Sequence, residues 1–362
     1  MKILITGNMG YVGPGVVRQL RMRFPQAEIT GLDTGFFAHC LTAADTLPET
    51  LLDRQIFMDV RDVTEEHLRG IDTIIHLAAI SNDIMGKIDE KLTLDINHHA
   101  GLRLAALAKA SGVKSFVFAS SCSVYGFAQD AAKTEDSKVD PLTAYAESKI
   151  QTETGLRTLA DGHFKVTCLR FATACGMSDR LRLDLVLNDF AACSLAAKKI
   201  TILSDGSPWR PLIHVRDMAL AMEWAVGRSA LAGGNYLVVN AGADHWNYQV
   251  HELAQAVADQ VPGAKISINK DAPADKRSYR VSFALFQKLA PFHQPRMNLK
   301  QTVLELKSGL EKMRFDDAGF RDSDFMRIKV LTGLKDKGRI GPDLRWARTE
   351  KVLPKLELAK VS

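Results

Sequence analysis

The chain has 362 residues, 46% hydrophobic and 25% charged, an ordinary globular composition with room for one large α/β domain plus a smaller one. Its net charge of +5 is modest and not gathered into a basic run, which argues against nucleic acid as a partner while leaving room for a small anionic substrate. Five scattered cysteines with no Cys-x-x-Cys pair argue against a disulfide framework and a zinc or other metal site, and no stretch is long and apolar enough to span a bilayer, so a reduced, cytoplasmic protein with no membrane partner is expected.

The N-terminus shows no signal-peptide pattern and runs straight into Lys2-Ile3-Leu4-Ile5-Thr6, a brief apolar run that reads as a strand. Gly7, Gly10 and Gly13 then punctuate the start of a helical pattern carrying Val16, Val17 and Leu20. Strand, glycine turn and helix in this order let backbone N–H groups approach a pyrophosphate at a helix N-terminus, where the dipole favours negative charge. The spacing Gly-x-x-Gly-x-x-Gly departs from the commoner Gly-x-Gly-x-x-Gly, and a plain βα turn is the simpler alternative. The next strand, 28–32, ends in Asp33, about twenty residues after the last glycine, where an acid binds a ribose 2′-hydroxyl and disfavours a 2′-phosphate. NAD is therefore expected rather than NADP.

A third strand over 55–58 leads into Asp59-Val60-Arg61-Asp62, a polar loop at the ligand-binding end of a parallel sheet. A fourth, 73–79, is almost continuously apolar and reads as buried on both faces, with His76 a core histidine. Helical periodicity runs over 94–110; Asn97 near its start reads either as a helix-end residue or as an inward amide holding the backbone or a water near the site. A fifth strand, 115–119, runs into Ser120-Ser121-Cys122-Ser123-Val124-Tyr125-Gly126. That places Ser121 and Ser123 at the ligand edge, where a hydroxyl can pass a proton between a substrate hydroxyl and a phenolate, although turn capping is the plainer role. Asp140-Pro141-Leu142-Thr143 then breaks and caps the chain ahead of a helix carrying Tyr145 and Lys149, which at four residues apart share one face. A free phenol titrates near pH ~10, and a nearby ammonium favours its ionised form, so the pair can serve as a base at neutral pH. The same spacing also suits plain packing.

In this order the chain resembles an extended short-chain dehydrogenase/reductase of the sugar-nucleotide epimerase/dehydratase group, UDP-galactose 4-epimerase-like, over roughly residues 1–310. The resemblance rests on Thr6-Gly7-Asn8-Met9-Gly10-Tyr11-Val12-Gly13, Asp33, Asp59-Val60, His76-Leu77-Ala78-Ala79, Asn97, the Ser120 to Gly126 run, and Tyr145 with Lys149. It implies a doubly wound parallel sheet of Rossmann type with a smaller C-terminal substrate-binding domain. It also implies Ser121, Tyr145 and Lys149 as the catalytic set, with Tyr145, Lys149, Gly7, Gly10, Tyr11, Val12, Gly13, Asp33, Asp59, Val60, Leu77, Ala78, Ala79 and Asn97 holding NAD, Asn97 in a structural-catalytic role as well. Thr173 stands where many members carry an asparagine, and Arg210 and Arg277 resemble the two arginines that bind substrate phosphates; a planar guanidinium fork suits that work. By the same resemblance, residues 1–170 with a return segment at about 205–245 form the NAD-binding domain, 171–204 and 246–314 the substrate domain, and the partners are a nucleotide-diphosphate sugar and a second copy in a homodimer.

The departures narrow the chemistry. Cys122 and Ser123 stand where dehydratases carry Asp-Glu and sugar-acid decarboxylases a glutamate, so no carboxylate is expected at hand and dehydration is not expected. What remains is hydride chemistry at one carbinol, which the resemblance implies is epimerisation by transient oxidation to a keto sugar. A ketoreductase using the same Ser-Tyr-Lys set and a non-catalytic cofactor-binding protein are the alternatives. Helical segments are expected over 181–199 and 250–260. Residues 315–362, with Trp346 near their end, match no motif and read either as a solvated tail or as an arm packing on its own body or on a second subunit.

Overall fold

The computed structural model describes residues 1–42, 44–81, 89–128, 131–269 and 278–347. Seven strands, β1 (Lys2–Thr6), β2 (Glu28–Asp33), β3 (Arg54–Phe57), β4 (Thr73–His76), β5 (Ser115–Ser121), β6 (Lys165–Phe171) and β10 (Tyr236–Ala241), form one sheet in the order β10-β6-β5-β4-β1-β2-β3. Every pairing in it is parallel. Parallel strands need crossovers that cover both faces, and β4, with all four residues buried, has the unbroken apolar character that double coverage demands. His76 in β4 is buried against Phe116 and Phe118, its Nδ1 is 2.7 Å from Thr6 Oγ1, and burial lowers its pKa to about 3, so it is a neutral core residue.

The helices follow from local signals. Helix α1 (Gly13–Arg23) starts straight from the glycine turn, with Pro14 in its first turn, and packs on a later helix over 215–227. After the short helices α2 (Glu65–Leu68) and α3 (Glu90–Leu94), a π-helical turn at Asp95–His99 leads into α4 (Ala100–Ala110). That extra residue in the turn brings Asn97 to the inside. Helix α5 (Ala144–Leu159) is capped by Thr143, whose hydroxyl accepts from Ala146 N at 3.2 Å.

Beyond β6 the chain builds two smaller sheets. One has the order β11-β9-β7, from β7 (Thr173–Cys175), β9 (Trp209–His214) and β11 (Asn247–Gln249); the other pairs β8 (Lys199–Ile202) with β12 (Lys265–Ile268). Helices α6 (Val186–Ala196), α7 (Val215–Gly227), α8 (Val250–Ala258), α9 (Ala284–Leu289), α10 (Leu299–Lys312) and α11 (Arg327–Asp336) complete the described chain. The helix expected from residue 181 begins instead at Val186. Arg180-Leu181-Arg182-Leu183-Asp184 instead runs through a turn and a bend that bury both leucines and both arginines, each arginine paired with a carboxylate. One large apolar cluster runs from β1 and α1 through β6 to α6, α8 and α10, so the two sheet systems share a core.

Candidate active site

Strand order reverses between β1 and β4, since β2 and β3 lie to one side of β1 and the later strands to the other. In doubly wound sheets the crevice at this switch point, beyond the carboxyl ends of the strands, is where ligands bind. Here it opens into a cavity of about 1260 Å³, above the ~300–1,000 Å³ usual for a single small ligand. The cavity reaches from Asp33 and Asp59 at one end to Tyr145 and Arg210 at the other.

The glycine turn forms its floor, with Gly7, Gly10, Tyr11, Val12 and Gly13 all on the cleft wall. Gly7 adopts φ +76, and a Cβ there would stand 2.6 Å from Ala78 N, so only glycine lets the turn press against Leu77, Ala78 and Ala79 after β4. Asp33 accepts from Met9 N at 3.0 Å and from Gly35 N at 2.8 Å, which ties the end of β2 to the glycine turn; burial raises its pKa against those bonds. Asp59 caps the turn at Val60 and is gripped by Arg61, whose NH2 lies 2.7 Å from Oδ2. Burial works to raise the Asp59 pKa, but Arg61 outweighs it and holds the carboxyl below its ordinary value. Tyr11 commits its hydroxyl elsewhere, donating to Gly176 O at 2.6 Å and accepting from Asn188 Nδ2 at 2.9 Å, so it locks the turn onto the 176–188 segment.

At the opposite end Lys149 is almost fully buried and donates to Ala119 O at 2.7 Å, with its ammonium 5.4 Å from the centre of the Tyr145 ring and 4.8 Å from that of Phe118. Burial lowers its pKa to about 8. Ser121 closes β5 and accepts from Ser123 N at 3.1 Å, the turn cap of its plainer reading. Ser123 Oγ, on the same wall, is buried and has no hydrogen-bond partner among the described residues. Thr173 and Arg210 also face the cavity, from β7 and β9. The set fits a dinucleotide: an acid at the end of β2, a glycine turn entering a helix, and a buried ammonium at the far end.

Two expected site residues stand apart. Asn97 does not line the cavity; its Oδ1 accepts from Ile80 N at 2.8 Å and its Nδ2 donates to Ile80 O at 3.0 Å and Ser148 Oγ at 3.2 Å, so it clamps the loop after β4 to α5 instead of touching a ligand. Arg277 lies outside the described residues. Conversely, the cleft holds charged residues that motif reading passes over. Arg182 pairs with Asp184 through two bonds of 2.8 and 2.9 Å and reaches Ser81 Oγ at 2.9 Å. Arg321 grips Asp189 at 3.0 and 2.8 Å. Carboxylates are thus present on this part of the wall, against the expectation of none at hand; Asp184 and Asp189 are each paired with an arginine, although burial still raises the Asp189 pKa above its ordinary value. Burial would raise the Asp184 pKa, yet Arg182 keeps it below its ordinary value, a poor acid for expelling water. Cys122 is fully buried, its Sγ donates to Arg170 O, and burial pushes its thiol pKa far up, so it is a packed thiol. All five cysteines are free and buried.

With this geometry in hand, the comparisons with known proteins agree in one direction. The model of the NAD dependent epimerase/dehydratase family matches residues 3–242. UDP-glucose 4-epimerase of Bacillus subtilis is 26% identical, covering 90% of this chain and 98% of that protein. UDP-glucuronic acid decarboxylase 6 of Arabidopsis thaliana is 24% identical over 83% of this chain and 86% of its own. The solved structure of MoeE5 in complex with UDP-glucose and NAD superposes with a TM-score of 0.73 at 25% identity, covering 86% of this chain and 99% of that one. Its cleft, its seven-stranded sheet and these matches together show that the chain belongs to the NAD dependent epimerase/dehydratase family of extended short-chain dehydrogenases/reductases.

Proposed function

We propose that the protein epimerises a nucleotide-diphosphate sugar at one carbinol carbon, by transient oxidation and return of hydride to the opposite face. The observation that carries this reading is the Tyr145–Lys149 pair on the cleft wall, with the Lys149 ammonium fixed on Ala119 O beneath the tyrosine ring and Ser121 and Ser123 beside it. NAD, when bound, supplies the hydride acceptor and donor.

The proton falls to this chain. Tyr145, as phenolate, takes it from the sugar hydroxyl, directly or through Ser121, and gives it back after the sugar has turned. Lys149 favours the phenolate by charge, and its bond to Ala119 O keeps the ammonium from swinging away. Ser123, whose Oγ has no hydrogen-bond partner among the described residues, is assigned to a sugar hydroxyl, while Arg210, Thr173 and Arg277 are assigned to the substrate diphosphate. Asp33 is assigned to the adenosine ribose, which favours NAD over NADP. Cys122 and Ser123 put no carboxylate at the two positions after Ser121, and Asp184 on the same wall is held below its ordinary pKa by Arg182, so neither dehydration nor a glutamate-dependent decarboxylation is part of the proposal. A homodimer belongs to the same proposal and is checked by mass in solution.

The test is to incubate the protein with a panel of UDP- and dTDP-hexoses and separate the epimers by anion-exchange chromatography. Tyr145→Phe is expected to lower turnover by about 10²–10⁴-fold while NAD stays bound. Near-normal turnover in that variant would overturn the role given to Tyr145. Accumulation of a 4-keto-6-deoxy product would replace epimerisation with dehydration, and protein that isolates empty and reduces a keto sugar with NADPH would replace it with ketoreduction.

A further inference from the structure

The C-terminal segment lies well beyond residue 242, where the match to the family model ends. We propose that residues 339–347 form the outer wall of the adenosine half of the cofactor site and hold NAD in place between turnovers. The proposal rests on the NAD reading of the cleft.

After α11 the chain folds back on itself. Ile340 and Trp346 pair as an antiparallel bridge, Gly341 N donates to Arg345 O at 2.8 Å, and Leu344 N to Gly341 O at 3.0 Å. This small hairpin joins the two loops that flank the adenosine half. On the loop after β2, Trp346 Nε1 donates to Thr34 O at 2.7 Å, one residue past Asp33, and its ring lies 5.3 Å from that of Phe36. On the loop after β3, Arg345 pairs with Asp62 at 2.5 Å, and Arg61, which grips Asp59, donates to Asp343 O at 2.8 Å. Between these two attachments Leu344 lines the cavity itself. It does so with φ at +57, a left-handed conformation that leucine rarely adopts. Backbone strain of this kind persists only where surrounding contacts over-determine it, and it concentrates at ligand clamps.

The hairpin is anchored from below. Ile340 and Leu331 cluster with Ile80, the residue whose backbone Asn97 clamps. Arg327, at the start of α11, is buried, stacks 5.0 Å from Phe37 and donates to Arg180 O and Leu181 O. The hairpin's outer attachments are half-exposed, with Trp346 43% accessible and the Arg345–Asp62 pair open to solvent, so they can part without unfolding what lies beneath. A ligand enclosed this way leaves only when the wall opens, and loosening its attachments acts on the release rate.

The experiment measures retention of NAD. Full-length protein loaded with radiolabelled NAD is chased with excess unlabelled NAD, and the bound label is followed over time. The double variant Arg345→Ala/Trp346→Ala is expected to lose label at least tenfold faster than wild type, and Leu344→Gly, which removes the wall side chain and suits the positive φ, at least threefold faster. Lys329→Ala, which removes only the surface pair with Asp322, should match wild type. If the double variant fails to fold, Leu344→Gly decides. Wild type that binds NAD while both wall variants release it within twofold of the wild-type rate overturns this proposal alone. Wild type that binds no NAD overturns the cofactor reading and this proposal with it.

Discussion

Lys149 shows at the scale of one residue how a functional group is held against its own stability. Its ammonium is buried with one backbone acceptor, and burial brings its pKa from 10.5 down to about 8. The sign follows from linkage: between pH 8 and 10.5 the unfolded chain holds a proton that the folded chain has released, so stability rises with pH across that window and is lowest below it. At about 1.36 kcal/mol per pKa unit the penalty at pH 7 is about 3 kcal/mol, from which the lost bond to Ala119 O takes back about 1 kcal/mol when the lysine is removed. Lys149→Met is therefore expected to abolish turnover and yet stabilise the cofactor-free protein by about 2 kcal/mol at pH 7, with the gain shrinking towards pH 10. Urea denaturation at both pH values measures it; a variant no more stable than wild type at pH 7 sinks the argument. Tyr145 and Lys149 were legible because a four-residue spacing fixes their shared face before any tertiary contact forms. Arg182 and Asp184 were not, because what makes them notable is burial in the cleft, and that depends on Ser81 and β4 folding up against them.

At the scale of the element, the turn between β1 and α1 was readable almost residue by residue, since glycines, strand and helix signals are all local. What remained hidden is why each glycine is there. A Cβ on Gly13 would stand 2.0 Å from Asn8 O, and Asn8 is itself fixed by a 2.7 Å bond to Gln55, so the backbone has nowhere to move. Two residues on, a Cβ at Gly15 would meet nothing nearer than Val215 O at 3.7 Å, an ordinary contact. Gly13→Ala is expected to destabilise by about 1–3 kcal/mol through overpacking and to weaken NAD binding. Gly15→Ala is expected to stabilise by about 0.5–1 kcal/mol, because alanine has less backbone entropy to lose in a helix. Denaturant melts of the pair separate steric need from mere helix position; equal shifts of the same sign would show that the Asn8 contact does not matter. The helix expected from residue 181 begins only at Val186 because Arg180 and Arg182 are buried on Glu49 and Asp184, and the pairing with Glu49 spans 131 residues, which apolar content within a window does not display.

At the scale of the whole molecule, the long-range ties are what no window of sequence displays. Trp346 meets Thr34 across 312 residues, and Tyr11 meets Gly176 across 165. The 176–184 segment is bound to the larger sheet's side by Tyr11, by Arg18 on Asp179, by Glu49 on Arg180 and by Ser81 on Arg182, while its own continuation is α6 of the smaller system. One apolar cluster runs through both. These connections predict that the two halves melt together. A ligand seated between them then stabilises the molecule as a unit: at a free NAD concentration of one hundred times its dissociation constant, linkage adds about 2.7 kcal/mol, a rise on the order of 5 °C in the melting temperature. Differential scanning calorimetry with and without NAD reads both claims. A single transition that moves as a whole is expected; two transitions, only one of them moved by NAD, would mean that the ties through Tyr11 and the 176–184 segment do not couple the halves.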